Sequence, residues 1–318
     1  MIESTRIELS SEGLFCGAQA IRWELEDRGI VSPSTRTINR ILNRLDLVDR
    51  PSDGYLSKGR KYPALNGSTA NRVHQADFVG PLYLKGPLRF YSLNSIDLAT
   101  RRCAIEPMIQ RAGQNTVDAF WAIWQRLGLP DHQQVDNEWL FFGSPQHPRG
   151  MGILIRLCLY YNVELWFIPP SEPWRNGVVE GFNDHYQKKF LARTRIEPDE
   201  SDLRDQTYRF ESKHNSRWRY DAIKGLTPLS ALTASGKQLR FPGEEAPPRH
   251  PIPKPEQGKY HFVRFIRSDG ILTIFKETFD VPSEAIYEYI VATVDVETQT
   301  MTLSLDGKQI DEWDYTTR

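Results

Sequence analysis

The sequence predicts an α/β protein built on a mixed five-stranded sheet with flanking helices. A helix-turn-helix precedes that core and a small antiparallel β-module follows it. Three observations predict this. Residues 73–168 begin with three strand-like segments and then alternate helix with strand. Two amphipathic helical segments separated by a short turn lie upstream. A proline-rich stretch, 241–257, sets off a last run of short strands.

In chain order, residues 14–28 read as a helix with Ala18, Ile21 and Leu25 on one face, and Gly29 ends it. Ser34 is placed to cap a second helix. There Ile38, Ile41, Leu42 and Leu45 share one face while Arg36, Asn39, Arg40 and Asn43 share the other. The pair has the pattern of a helix-turn-helix, and equally of a surface hairpin with a solvated basic face. Residues 51–72, rich in Pro, Gly and basic side chains, read as a linker. The segments VHQADFVGPLYL, RFYSLNSIDLA and CAIEPMI read as a strand meander. A helix over 113–128 follows, with Val117, Phe120, Trp121 and Trp124 inward. HQQVDN is a short strand ending at an acid, 150–162 a helix, and VELWFIPP the fifth strand. Helices over 176–195 and 200–214 complete the core. The expected organisation is 1–50, 51–72, 73–235, 236–257 and 258–318: helix-turn-helix, basic linker, core, proline-rich linker and β-module.

Composition narrows the class. Hydrophobic residues make up 39% and charged residues 25%, enough to bury a sizeable core. Three cysteines, Cys16, Cys103 and Cys158, are too few for a disulfide framework, so a reducing, cytoplasmic setting is expected. The N-terminus lacks the pattern of a secretory signal, and no apolar run approaches a membrane span. Net charge is −1, but residues 1–31 are acidic and residues 32–72 basic. Phosphate contacts need local charge rather than a high global pI, so the basic block fits a polyanionic partner.

Three acids stand out by position. Asp77 lies in the first strand, Asp136 closes the fourth, and Glu180 sits in the first turns of the helix after PPSEPWRNGVVEGFN. A meander followed by a βαβ unit can make the first and fourth strands neighbours, bringing the aspartates together. Carboxylates that close repel one another and favour a hard divalent cation, Mg²⁺ or Mn²⁺, with oxygen ligands. Two such ions can clamp the attacking and leaving oxygens of a phosphoryl transfer. Each acid alone also has an ordinary reading as an edge-strand, turn or first-turn residue; the ordered set carries the inference. Asp97, in SIDLATRR, is expected to cap a turn instead.

HQAD, QVDN and PPSEPWRNGVVEGFN resemble the three acidic motifs of the retroviral-integrase-like DDE transposases of bacterial insertion sequences. The resemblance covers about residues 14–235. It implies a ribonuclease H-like core with Asp77, Asp136 and Glu180 as catalytic, metal-binding acids. It implies two Mg²⁺ (or Mn²⁺) ions, double-stranded DNA as partner, a homo-oligomer that pairs two element ends, and a bacterial, nucleoid-associated protein. The Asn176–Gly177 pair would shape the lead-in to the glutamate helix. Two departures stand out: Glu138 occupies the place where the family usually has Gly, and 43 residues separate Asp136 from Glu180, more than is usual. The excess is assigned to the loop WLFFGSPQHPRG. Relatives often carry a further upstream helix-turn-helix, and the sequence leaves open whether one is missing here.

Arg36, Arg40 and Arg44 are the expected DNA contacts of the helix-turn-helix. Asn183, Asp184, Gln187 and Lys188 follow Glu180 at helical spacing, and Lys188 is the expected phosphate partner among them. Arg175 is a second phosphate candidate; Trp174 either stacks on a base or plugs the core. Arg217–Tyr220 and the Phe262, Arg264, Phe265 and Arg267 set mix basic and aromatic character. His132, His147, His185 and His214 show no zinc-ligand spacing. The expected activity is DNA strand transfer. A decayed, DNA-binding regulator and a metal-dependent nuclease are its rivals.

Overall fold

The computed structural model describes residues 1–48, 61–84, 88–143 and 149–318. Most of the basic linker, part of the WLFFGSPQHPRG loop and His147 lie outside these residues. The chain is mixed α/β. The N-terminal helices are α1 (Ile2–Ser11), α2 (Ala18–Asp27) and α3 (Thr35–Arg44). Ser34 caps α3, its hydroxyl accepting from the Thr37 amide. Ile21, Leu25, Ile38 and Leu42 are buried, while Arg36, Asn39, Arg40, Asn43 and Arg44 are exposed.

The core strands are β1 (Val73–Tyr83), β2 (Arg89–Asp97), β3 (Cys103–Met108), β4 (His132–Val135) and β5 (Glu164–Phe167). They alternate with α4 (Gly113–Leu127), the short α5 (Trp139–Phe142) and α6 (Ile153–Tyr160). Then come α7 (Gly177–His185), extended by a π-helical turn over Tyr186–Leu191, α8 (Glu200–Arg217) and α9 (Pro228–Ser235). The C-terminal strands are β6 (Lys259–Phe265), β7 (Ile271–Ile274), β8 (Glu277–Asp280), β9 (Tyr289–Asp295), β10 (Thr300–Leu305) and β11 (Lys308–Asp314).

The main sheet runs β11-β10-β9-β6-β5-β4-β1-β2-β3. The meander β1-β2-β3 is antiparallel, and β1, β4, β5 and β6 pair in parallel. This corrects the expectation of a five-stranded core with a separate β-module. β6 pairs directly with β5, so four C-terminal strands extend the same sheet to nine; only β7 and β8 stand apart as a hairpin. The cause is packing: Tyr260, Phe262, Ala292, Val294 and Leu303 share a core with Val135, Leu165 and Phe167. Phe262 stacks on Phe167 at 5.0 Å. The proline-rich segment is irregular, as expected, but fastened to the core. Gln114 and Gln125 donate to the Pro248 and Pro242 carbonyls, and Arg156 donates to that of Ile252.

Both faces of the sheet are covered. On one, Ala76, Phe78, Leu93 and Ala104 pack with α4 and α6, with Val117, Phe120 and Trp124 fully buried. Trp121 is only partly buried against the same cluster. On the other face, Phe90, Ile96 and Ile105 share a core with α7, α8 and the N-terminal helices. Trp218, 2% exposed, packs among Phe15, His185, Phe210 and His214. Arg217 and Arg219 pair with Glu12 and Asp27, so this segment docks the N-terminal helices on the core.

Candidate active site

The alternation of β1 sends Gln75 and Asp77 to the face that carries α7, while Ala76 and Phe78 enter the opposite core. β1 pairs with β4 through His74↔Gln133 and Gln75↔Gln134. Carried on by two residues, that register brings Asp77 alongside Asp136. Glu180 comes from the first turn of α7.

That helix is held by strand side chains. The Gln75 carboxamide oxygen accepts from the Val178 and Val179 amides (3.1 and 3.2 Å), satisfying free donors at the helix start. Asn176, 2% exposed, donates to the Ala76 carbonyl, and Gln134 donates to its side-chain oxygen. It thus lies between the strands of the two aspartates. Gly177 has an ordinary helical φ of −61°, and a Cβ there would meet nothing within 4 Å, so the lead-in to α7 depends on Asn176 rather than on the glycine. Asn183 donates to Asp77 Oδ2 at 2.8 Å and accepts from Asn94 at 2.8 Å; Ser92 in turn donates to Asn94.

Asp136 acts on both other carboxylates, and Glu180 acts on Asp77. Burial pushes the Asp77 carboxyl up to about 7, helped by the Asp136 charge and more weakly by Glu180 and Glu138. Burial raises Asp136 too, opposed by the Glu138 amide and the Arg111 guanidinium. Glu180 is raised by burial and by Asp136. Asp77 and Glu180 line an open cleft of about 570 Å³ together with Asn183, Asp184 and Gln187. Among the described residues, no three His, Cys, Asp or Glu side chains are already arranged as ligands around one point. The donor set nonetheless suits Mg²⁺ or Mn²⁺. It is all oxygen, half-buried, and crowded with like charge that a cation would relieve.

The departure at position 138 is occupied. Glu138 pairs with Arg111 at 2.5 Å, and that guanidinium lies over the rings of Phe78 and Tyr91. Asp97 takes the turn-capping role expected of it, accepting from the amides of Asn71, Ala99 and Thr100 and from the Thr100 hydroxyl.

Other expected contacts are placed differently. Arg175 is engaged internally: it pairs with Glu172 at 2.9 Å, donates to the Tyr289 hydroxyl and stacks over Tyr62 at 3.9 Å. Its carbonyl accepts from Gln75 and Gln134. Lys188 is exposed, but its ammonium lies 2.7 Å from Asp184 and it is not among the residues lining the cleft. Trp174 is 59% exposed and plugs no core. Phe262 is fully buried and Arg264 turns inward, because β6 lies inside the sheet; only Phe265 and Arg267 of that set are exposed. His214 bonds Tyr220, while His132 and His261 both reach Glu164.

Sequence reasoning missed the roles of Gln75, Asn94 and Arg111 and assigned Asn183 only to a DNA-facing edge. Hairpin counting could have set Asn94 opposite Asp77, the observed pairing, but an irregularity between Val79 and Leu82 shifts the count by one.

No family model matches the chain. Solved structures resemble the chain at low identity. The HTLV-2 integrase catalytic core domain in complex with magnesium is 17% identical over 52% of this chain and 97% of that one, with a TM-score of 0.38. A simian T-cell lymphotropic virus intasome structure is 13% identical over 91% of this chain and 88% of that one (TM-score 0.45). The BIV integrase catalytic core is 15% identical over 52% of this chain and 97% of that one (TM-score 0.39). No helix among the described residues is long and apolar enough to cross a membrane.

Proposed function

We propose that the chain is a DNA transposase or integrase-like recombinase that cuts and joins phosphodiester bonds. The observation that supports this reading is that Asp77, raised by burial and by the charges of Asp136 and Glu180, lines an open cleft with Glu180, which Asp136 also raises. Such crowding lowers stability without a cation, which is understandable where a cation is part of the work. Asp77, Asp136 and Glu180 would hold Mg²⁺ or Mn²⁺, in two ions. When bound, these supply positive charge to the attacking and leaving oxygens of an in-line displacement. In the first step water adds to phosphorus, the P–O3′ bond breaks, and a 3′-hydroxyl is freed. In the second that hydroxyl attacks a target phosphodiester, forming one P–O bond as another breaks. Asn183 keeps Asp77 oriented through its 2.8 Å hydrogen bond, and Gln75 and Asn176 hold the helix of Glu180 against the strands.

The exposed Arg36, Arg40 and Arg44 on α3 would position duplex DNA by phosphate contact, as the second helix of a helix-turn-helix does. Two DNA ends must be joined in concert, so a homo-oligomer on DNA is part of the proposal. A second reading, a decayed enzyme acting as a DNA-binding regulator, draws on one observation. Glu138 adds a fourth carboxylate beside the site, already paired to Arg111. The deciding experiment is a gel assay of joined products on pre-cleaved oligonucleotide ends with Mg²⁺. The proposal expects joining by the wild-type chain and none by Asp136→Asn, with end binding intact. Full joining by Asp136→Asn would remove Asp136 from the site. Binding without joining by the wild type would favour the regulator.

A further inference from the structure

We infer that the C-terminal strands work as a two-armed clamp on the acid-bearing loops, with Arg264 and Tyr289 as positioning residues for Asp136 and Glu180. The inference rests on the metal-site reading above and adds to it a role for residues distant from the acids in sequence.

The first arm starts at β6, which is paired with β5 through Leu165↔Tyr260, Trp166↔His261 and Phe167↔Phe262. Beyond this pairing, the Arg264 guanidinium reaches across the end of β5. It donates to the Ile168 carbonyl at 3.4 Å and to Asn137 Oδ1 at 2.9 Å. The Asn137 amide nitrogen donates to the same Ile168 carbonyl. Asn137 directly follows Asp136, so both ends of its carboxamide are fixed next to the acid. β4 ends at Val135, and among the described residues no ladder partner holds those beyond it. Arg264 therefore acts where the sheet stops providing order.

The second arm is Tyr289, at the start of β9 and paired in register with Phe265. Its hydroxyl donates to Glu172 at 2.8 Å and accepts from Arg175 at 3.0 Å; Arg175 and Glu172 close the triangle at 2.9 Å. Arg175 belongs to the tight turn Pro173–Asn176 that leads directly into α7 and Glu180. Its carbonyl is held from below by Gln75 and Gln134. The turn is thus gripped by the core strands on one side and by Tyr289 on the other.

A guanidinium at the first arm is a costly way to join two strands, since its Nε is buried without a partner. An apolar side chain could fill such a site at less desolvation cost. What it could not do is hold the Asn137 carboxamide in one orientation. Outer groups that orient ligands commonly change metal affinity by about 10–100-fold when removed.

The test uses the full chain and Mn²⁺ alone as probe. Isothermal titration should show Mn²⁺ binding about tenfold weaker in Arg264→Ala and several-fold weaker in Tyr289→Phe, which loses only a hydroxyl. Arg264→Lys, able to keep one of the two contacts, should fall between Arg264→Ala and wild type. Hydrogen exchange supplies the local readout. Amides of 136–143 should exchange faster in Arg264→Ala, and those of 172–180 in Tyr289→Phe, with α4 unchanged in both. Should Arg264→Ala fail to fold, Tyr289→Phe and Arg264→Lys carry the test. A wild type that binds Mn²⁺ with all three variants unchanged in affinity and exchange overturns the clamp alone. A wild type that binds no Mn²⁺ overturns the metal-site reading, and the clamp with it.

Discussion

Replacing Asp77 by Asn should make the metal-free protein more stable, although the residue is the proposed centre of its chemistry. Asp77 loses its proton near 3.8 in the unfolded chain and near 7 in the folded one, chiefly because it is buried and then because Asp136 lies beside it. Between those values the folded state holds the extra proton, so stability falls as pH rises through the interval and the loss is complete above about 7. At 1.36 kcal/mol per pKa unit, the full penalty is about 4 kcal/mol. The carboxamide introduced by Asp77→Asn would carry no such charge and could still accept the hydrogen bond from Asn183 that Asp77 now takes at 2.8 Å. The assay is urea unfolding of both proteins in EDTA from pH 4 to pH 8. Equal stability near pH 4 is expected, with the variant ahead by an amount that grows to a few kcal/mol at pH 8. Mg²⁺ should recover the wild type, by preferential binding to the folded state, and leave the variant unmoved. Parallel pH profiles for the two proteins, or a variant weaker at every pH, would refute the reasoning.

Three further outcomes follow from other parts of the molecule. Glu164 lies 3.2 Å from His132 Nδ1 and is hydrogen-bonded to His261, and these two histidines hold its carboxyl well below the usual range. Its contribution is therefore present above the ordinary glutamate pKa and lost as pH falls towards the folded value, so Glu164→Gln should cost stability at pH 6 and little at pH 2 in a thermal scan. Trp124, fully buried between Phe120 and Tyr161, should cost about 3–5 kcal/mol of unfolding free energy on truncation to Ala. Arg40→Ala removes an exposed α3 cation, so duplex affinity should fall alike for all sequences, and the slope of log affinity on log salt should shrink by about one.

Much of the core was legible because its elements are long and strongly periodic. The meander, α4, α6, the helix that carries Glu180 and the helix after it lie within a few residues of their expected bounds. The topology allowed β1 and β4 to be neighbours, and they pair. α1 was not legible, since only Ile2, Thr5 and Leu9 face inward and the rest of that segment is polar. The join between β5 and β6 was hidden for a different reason. Alternation identifies a strand but not its neighbour, and the partners here lie some 95 residues apart. The order and spacing of the three acids could be read directly, whereas their supporting amides could not. Gln75, Asn94 and Asn183 act through single hydrogen bonds across the fold, which leave no linear pattern. Arg175 misled because a cation beside a functional turn reads as a ligand contact; its stacking with Tyr62 and Tyr289 depends on segments distant in sequence.

The proposed chemistry requires that Asp77, Asp136 and Glu180 hold a divalent ion in common. Crystals of the full chain soaked in Mn²⁺, measured at the manganese edge, address this most directly. Anomalous density in contact with both Asp77 and Asp136, with Glu180 at a second peak or sharing the first, is the expected result, and Asp136→Asn should erase it. Soaked crystals that show no manganese at these side chains, or show it undiminished in Asp136→Asn, would contradict the account.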